Sequence, residues 1–145
     1  MPEAEAVRSM FGGIAKRYDL ANHLLSGGMD YWWRHVLVKM VEYSNPSVVA
    51  DLATGSGDVA FAIKKKLGNT VAVHGLDFCQ PMLDEAEKKR LARQPSPDIT
   101  FAIGDIQNLP LDTDSVDVAT VAFGVRNLEN RLQGLKDIRR CLRPG

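Results

Sequence analysis

The stretch DLATGSGD, Asp51 to Asp58, joins two patterns: it closes the apolar run Val48–Ala53, and helical periodicity starts at its last residue. An apolar run of that length ending at a Gly turn predicts a buried strand. Gly55 and Gly57 carry no Cβ, so the backbone there can approach a ligand closely. The helix that follows presents N–H groups and the positive end of its dipole, which suit a carboxylate or a phosphate. The unit is therefore a strand, a cofactor loop and a helix.

Working outward, the same alternation continues downstream. Asp58–Leu67 reads as a helix stopped by Gly68-Asn69, and Thr70–Leu76 as a second strand ending at Asp77. Pro81, whose missing N–H costs nothing in a first turn, opens a helix that runs to Arg93. PSPD is a turn, Ile99–Ile103 a third strand and NLPLDTDS a loop. Val116–Phe123 is a fourth strand, apolar on both faces, and Arg131–Leu142 a last helix broken by RPG. Strands alternating with helices imply right-handed crossovers and a parallel sheet covered on both faces, with its ligand site at the strands' carboxyl ends.

Upstream, Val7, Met10, Phe11, Ile14, Ala15 and Tyr18 form a helical stripe. Gly12 and Gly13 interrupt it, each costing about 1 kcal/mol against Ala in a helix interior. The loop SGGMD ends at Asp30, which is placed to cap a helix through Tyr31, Trp32, Val36, Leu37 and Met40. Trp32 and Leu37 are expected to pack that helix onto the sheet. The chain thus divides into a helical cap, 1–44, and an α/β core, 45–145.

Composition narrows the class. The 145 residues fit one domain, and 18 basic against 18 acidic side chains leave no field to attract nucleic acid or an anionic membrane. Lys64–Lys66 and Lys88–Arg90 are expected to be solvated helix faces, with Asp84 and Glu85 four residues before Lys88 and Lys89. The N-terminus MPEAEA is acidic and has no apolar signal core, and the longest apolar runs are strand-sized. Cys79 and Cys141 form neither a disulfide framework nor, with His35 and His74, a metal-ligand spacing. A reduced cytoplasmic setting and no metal are expected.

GSGDVA also satisfies the loose G-x-G-x-x-A fingerprint of NAD proteins, so the glycines alone leave the cofactor open. The acids favour S-adenosylmethionine (SAM). Asp77 ends the second strand about twenty residues on, where a carboxylate can accept both ribose hydroxyl protons. Asp51 lies inside the first strand. Asp58 sits at the helix start, where a pyrophosphate is repelled and an α-ammonium welcomed. Asp105 follows the third strand, within reach of an adenine amino group. The alternative is that Asp51 pairs with backbone and Asp58 caps its helix.

DLATGSGD, LDFCQPML, GDIQNLPL and AFGVRN, in this order and spacing, resemble class I SAM-dependent methyltransferases, which have a Rossmann-like sheet. VRSMFGGIAKRYDLANHLLSGGMDYWWR resembles the N-terminal signature of the ubiquinone/menaquinone biosynthesis C-methyltransferase family, and FGVRN its second signature. The resemblance implies that Ala53, Thr54, Gly55, Ser56 and Gly57 meet the methionine moiety, Asp77 the ribose, and Phe78, Met82, Asp105 and Ile106 the adenine. It implies methylation of a ring carbon in a prenylated quinol, with SAM as the only cofactor. Arg126, Asn127, Tyr18, Asp19 and His23 are the candidates for handling the phenolic proton or the phenolate charge. Tyr31, Trp32, Trp33 and Met29 can line a pocket for the isoprenoid-bearing ring. Peripheral contact with the inner face of the membrane is expected, because the substrate dissolves there.

Against that family the chain is expected to stop early, keeping four strands in the order 3-2-1-4 and lacking the C-terminal strands. The fourth strand is then an apolar edge through which copies of the chain can associate. Two other functions stay open: a methyltransferase for another small or lipid acceptor, and a SAM-binding fragment without activity.

Overall fold

A computed structural model describes residues 29–122 and 130–144. Its centre is a four-stranded parallel sheet in the order β3-β2-β1-β4, as expected from the sequence. The strands are β1 (Val48–Leu52), β2 (Ala72–Asp77), β3 (Ile99–Ile103) and β4 (Val118–Val121). The helices are α1 (Met29–Tyr43), α2 (Asp58–Leu67), α3 (Gln80–Ala92) and α4 (Arg131–Cys141). Strand β1 pairs with β2 on one side and β4 on the other, Asp51 standing between Gly75 and Thr120. The order reverses beside β1, so the loop after β1 opens at the switch point of the sheet.

Alternation along β1 sends Val49 to one face and Ala50 and Leu52 to the other. Val49 joins the core beneath α1 and α2, with Val38, Val41, Phe61, Ile63 and Val73. Ala50 and Leu52 join the second core with Leu76, Ile106, Leu109, Val116 and Cys141, closed by Ile138 of α4. Both faces are therefore covered, which is what a parallel sheet requires.

Element ends depart from the sequence pattern where distant partners set them. The fourth strand is shorter than Val116–Phe123: Val116 forms only an isolated bridge with Leu142, and Phe123 lies outside the described residues. Between Val116 and the strand, the Asp117 carboxylate accepts from the Ser47 and Val48 N–H groups at 2.8 and 2.9 Å and from Arg143 at 2.9 Å. Helix α1 is already helical at Met29, so Asp30 lies within it and not ahead of it.

The packing face of α1 is also corrected. Trp32 is 62% exposed, whereas Trp33 and Leu37 pack against the core with buried Val38 and Val41. Residues four apart share a helix face, so Trp33, Leu37 and Val41 form the buried line. Trp32, Val36 and Met40 form the line beside it, all exposed. The basic runs differ too. Lys64 is buried and donates to the Val71 carbonyl at 2.6 Å, Arg90 pairs with Glu87, and Lys89 reaches across to the β1–α2 loop.

Candidate cofactor site

The loop after β1 is built by a change of backbone hand. Ala53, Gly55 and Gly57 take φ values of +52, +58 and +92°. A non-glycine residue in that region is uncommon, and such strain persists where the surroundings enforce it. Here Thr54 N–H donates to the Leu76 carbonyl at 2.9 Å, and Gly57 N–H returns to the Thr54 carbonyl at 3.0 Å. At Gly57 a Cβ would stand 2.9 Å from the Phe101 ring and 3.0 Å from Phe61, so only glycine fits. Helix α2 starts at once from Gly57, and no side chain caps its first turn. The Thr54 and Gly57 N–H groups are thus engaged within the protein, and what a carboxylate can meet here is the first turn of α2 with its free N–H groups.

Two buried acids hold this loop. Asp77, at the end of β2, accepts from Gly55 N–H at 2.8 Å and from Cys79 N–H at 2.9 Å. Burial pushes its carboxyl above the usual range, against these backbone donors. The Phe78 N–H is a third backbone donor to it; a carboxylate has roughly four lone-pair positions, so Asp77 keeps limited acceptor capacity beyond these three bonds. Asp51 lies beneath the loop. Its oxygens accept from Thr54 and Thr120 hydroxyls, both at 2.7 Å. Its pKa is raised to about 6, because desolvation outweighs the two hydroxyl bonds.

The remaining site residues are placed as follows. Met82 is buried, and its terminal methyl lies against Gly55, 3.2 Å from where a Cβ would stand. Phe78 is half-buried beside Asp77. Gly104 N–H donates to the Asp77 carbonyl at 2.9 Å, which brings the end of β3 beside that acid. Asp105 is exposed and accepts from Gln107 N–H at 2.9 Å, while the Ile106 side chain is buried in the second core. Asp58 receives the Lys89 ammonium at 3.2 Å, and the same ammonium lies 3.0 Å from Ser56 Oγ. Tyr18, Asp19, His23, Arg126 and Asn127 lie outside the described residues.

Thr120 was not singled out by sequence, and Lys89 was read only as part of a solvated helix face, four residues after Glu85, whereas it reaches Ser56 and Asp58. A lone hydroxyl in an apolar strand was a usable signal for Thr120. Spacing offered none for Lys89.

The sequence profile of the ubiE/COQ5 methyltransferase family matches residues 2–145. The chain belongs to this family. The ubiquinone/menaquinone biosynthesis C-methyltransferase UbiE of Geobacter sp. (strain M21) is 39% identical over 143 residues, 99% of this chain and 61% of that protein. The demethylmenaquinone methyltransferase of Thermotoga maritima is 43% identical over 134 residues, 92% of this chain and 56% of that protein. The chain thus spans about 60% of the length of such family members. The solved structure of YcgJ from Bacillus subtilis superposes with a TM-score of 0.68 at 21% identity, covering 76% of this chain and 45% of that one. A SAM-dependent methyltransferase from Aquifex aeolicus superposes at 0.62 with 23% identity, covering 68% and 52%. Both share the Rossmann-like fold of the sheet described above.

Proposed function

We propose that this chain forms the SAM-binding part of a C-methyltransferase that acts on a prenylated quinol, demethylmenaquinol or a ubiquinol precursor. The carrying observation is the Asp77–Gly55 tie in a loop of alternating hand over an uncapped helix, within a chain of the ubiE/COQ5 family. The donor set fits SAM. N–H groups of α2 receive its carboxylate, the acid of Asp58 lies near its ammonium, and Asp77 accepts from its ribose. A pyrophosphate, as in NAD, would face Asp58 with like charge, whereas an acid at the place of Asp77 suits the ribose of either cofactor. When bound, SAM supplies a sulfonium methyl as electrophile.

The acceptor carbon becomes nucleophilic when the adjacent phenol loses its proton. Asp19 or His23 takes that proton in this proposal. Arg126, too basic to be the base, stabilises the phenolate, and Asn127, Tyr18 and the ring wall of α1 orient it. Holding the carbon in line with the methyl is worth about 7–11 kcal/mol of barrier. Residues 1–44 act as the lid over the core, 45–145, and touch the inner face of the membrane peripherally. Among the described residues no helix is long and apolar enough to cross a membrane.

Titration calorimetry with SAM and NAD, followed by methyl transfer to a demethylmenaquinol analogue, tests the reading. SAM bound in preference to NAD, with a methylated product, is the expected result. Equal binding of the two removes the cofactor reading. SAM binding without any product leaves a binding unit, and transfer only to another acceptor changes the substrate class. Deleting residues 1–19 should impair quinol use and spare SAM binding; equal loss of both would remove the lid.

A further inference from the structure

Lys89 stands nine residues after Gln80, the first residue of α3. That places it about 14 Å along the helix from its start, at 1.5 Å per residue. Helical Cα–Cβ bonds tilt toward the N-terminus, so the Lys89 stem climbs back toward the carboxyl ends of the strands. There its ammonium meets Ser56 Oγ at 3.0 Å and Asp58 Oδ1 at 3.2 Å. Ser56 is buried, and the Lys89 and Asp58 side chains are 26% and 30% exposed. One cation therefore joins α3, the cofactor loop and the first residue of α2.

Two consequences follow from this geometry. Ser56 lies between Gly55 and Gly57, both at positive φ, where the backbone has most freedom to rearrange. A bond to the only side chain between them restricts that freedom. Asp58 also puts a negative charge at a helix N-terminus proposed to receive a carboxylate, and Lys89 offsets it. Without the lysine, the loop would present an acid alone to the carboxylate of the ligand.

We infer that Lys89 is a positioning residue for the amino-acid end of SAM: it fixes Ser56 and balances Asp58 so that the loop accepts a zwitterion. This rests on the SAM reading above. Calorimetry of the 145-residue chain tests it with two ligands, SAM and 5′-methylthioadenosine, which keeps the adenosine, has a neutral thioether in place of the sulfonium and lacks the amino-acid end. Lys89→Met should bind SAM about tenfold more weakly, the scale of one charge-assisted hydrogen bond. Its affinity for 5′-methylthioadenosine should stay at the wild-type level. Adding Asp58→Asn to Lys89→Met removes the unbalanced acid and should recover part of the SAM affinity. Equal losses for both ligands would reduce Lys89 to general support of the fold, and unchanged SAM binding would end the proposal. A wild-type chain that binds 5′-methylthioadenosine as tightly as SAM also overturns it. A wild-type chain that binds neither fails at the earlier step, the SAM reading itself.

Discussion

Asp51 shows at one residue how the site and the fold share an atom set. It is 2% exposed, between β2 and β4, with a hydroxyl on each carboxylate oxygen. Its pKa rises from 3.8 to about 6, so the folded state holds a proton that the unfolded chain releases between those values. The folded state binds more protons in that window, and the contribution of Asp51 to stability therefore falls as pH rises from about 4 to about 6. A shift of that size is worth about 3 kcal/mol. Asp51→Asn removes the titration and keeps the shape. Urea denaturation at pH 4 and pH 7 should show wild type losing stability relative to the Asn variant by up to about 3 kcal/mol. A difference that is constant with pH would mean that Asp51 is not the buried titrating group. Sequence revealed the residues whose reason is local: Gly55 and Gly57 by the turn, Asp77 by its place at a strand end. It did not reveal that Asp51 answers to Thr120, which lies 69 residues away and becomes its neighbour only through sheet register.

At the scale of elements, the long connection from β3 to β4 is held by α4. Arg140 donates to Asp137 at 2.8 Å and to the Leu111 and Leu109 carbonyls at 2.9 and 3.0 Å, while Asp137 accepts from Leu109 N–H. The Arg140 bond is the largest cause that holds the Asp137 carboxyl below its usual 3.8. Such an acid stabilises above its unfolded pKa, and the contribution is lost as pH falls through the lower folded value. Arg140→Ala should lower the melting temperature at pH 7 and speed proteolysis within residues 105–115, and the deficit should shrink below about pH 4. Unchanged cleavage of that loop would show that the clasp does not hold it. Helices α2, α3 and α4 were legible because periodicity, the Gly68-Asn69 stop, Pro81 and the break at RPG are all local signals, and the structure adds an Asn130 cap on Gln133 N–H. The ends of β4 and the buried face of α1 were not. Asp117 ties the start of β4 to Ser47 and Val48, and two adjacent apolar lines on α1, one led by Trp32 and one by Trp33, offered equal hydrophobicity. Only packing against α2 and the core it shares separates them.

For the whole molecule, the sheet order leaves β4 at one end, bonded to β1 on its inner side, with no strand on its outer side among the described residues. An edge strand presents a row of N–H and C=O groups to any chain that can pair with it. Natural edges are blunted by charge or proline, but Val118, Ala119, Thr120 and Val121 carry neither. Val118, Ala119 and Val121 are only half-buried, although they belong to the packed faces of the sheet. The balance of 18 basic and 18 acidic residues adds no net repulsion between copies. We therefore expect the 145-residue chain to self-associate through β4. Sedimentation velocity should give a coefficient that rises with protein concentration, and hydrogen exchange should slow at the β4 amides as it does so. Association without added protection at β4 would move the interface elsewhere, with the exposed Trp32, Val36 and Met40 line of α1 the next surface to examine. A single monomeric species across the concentration range would mean that this edge is shielded in solution.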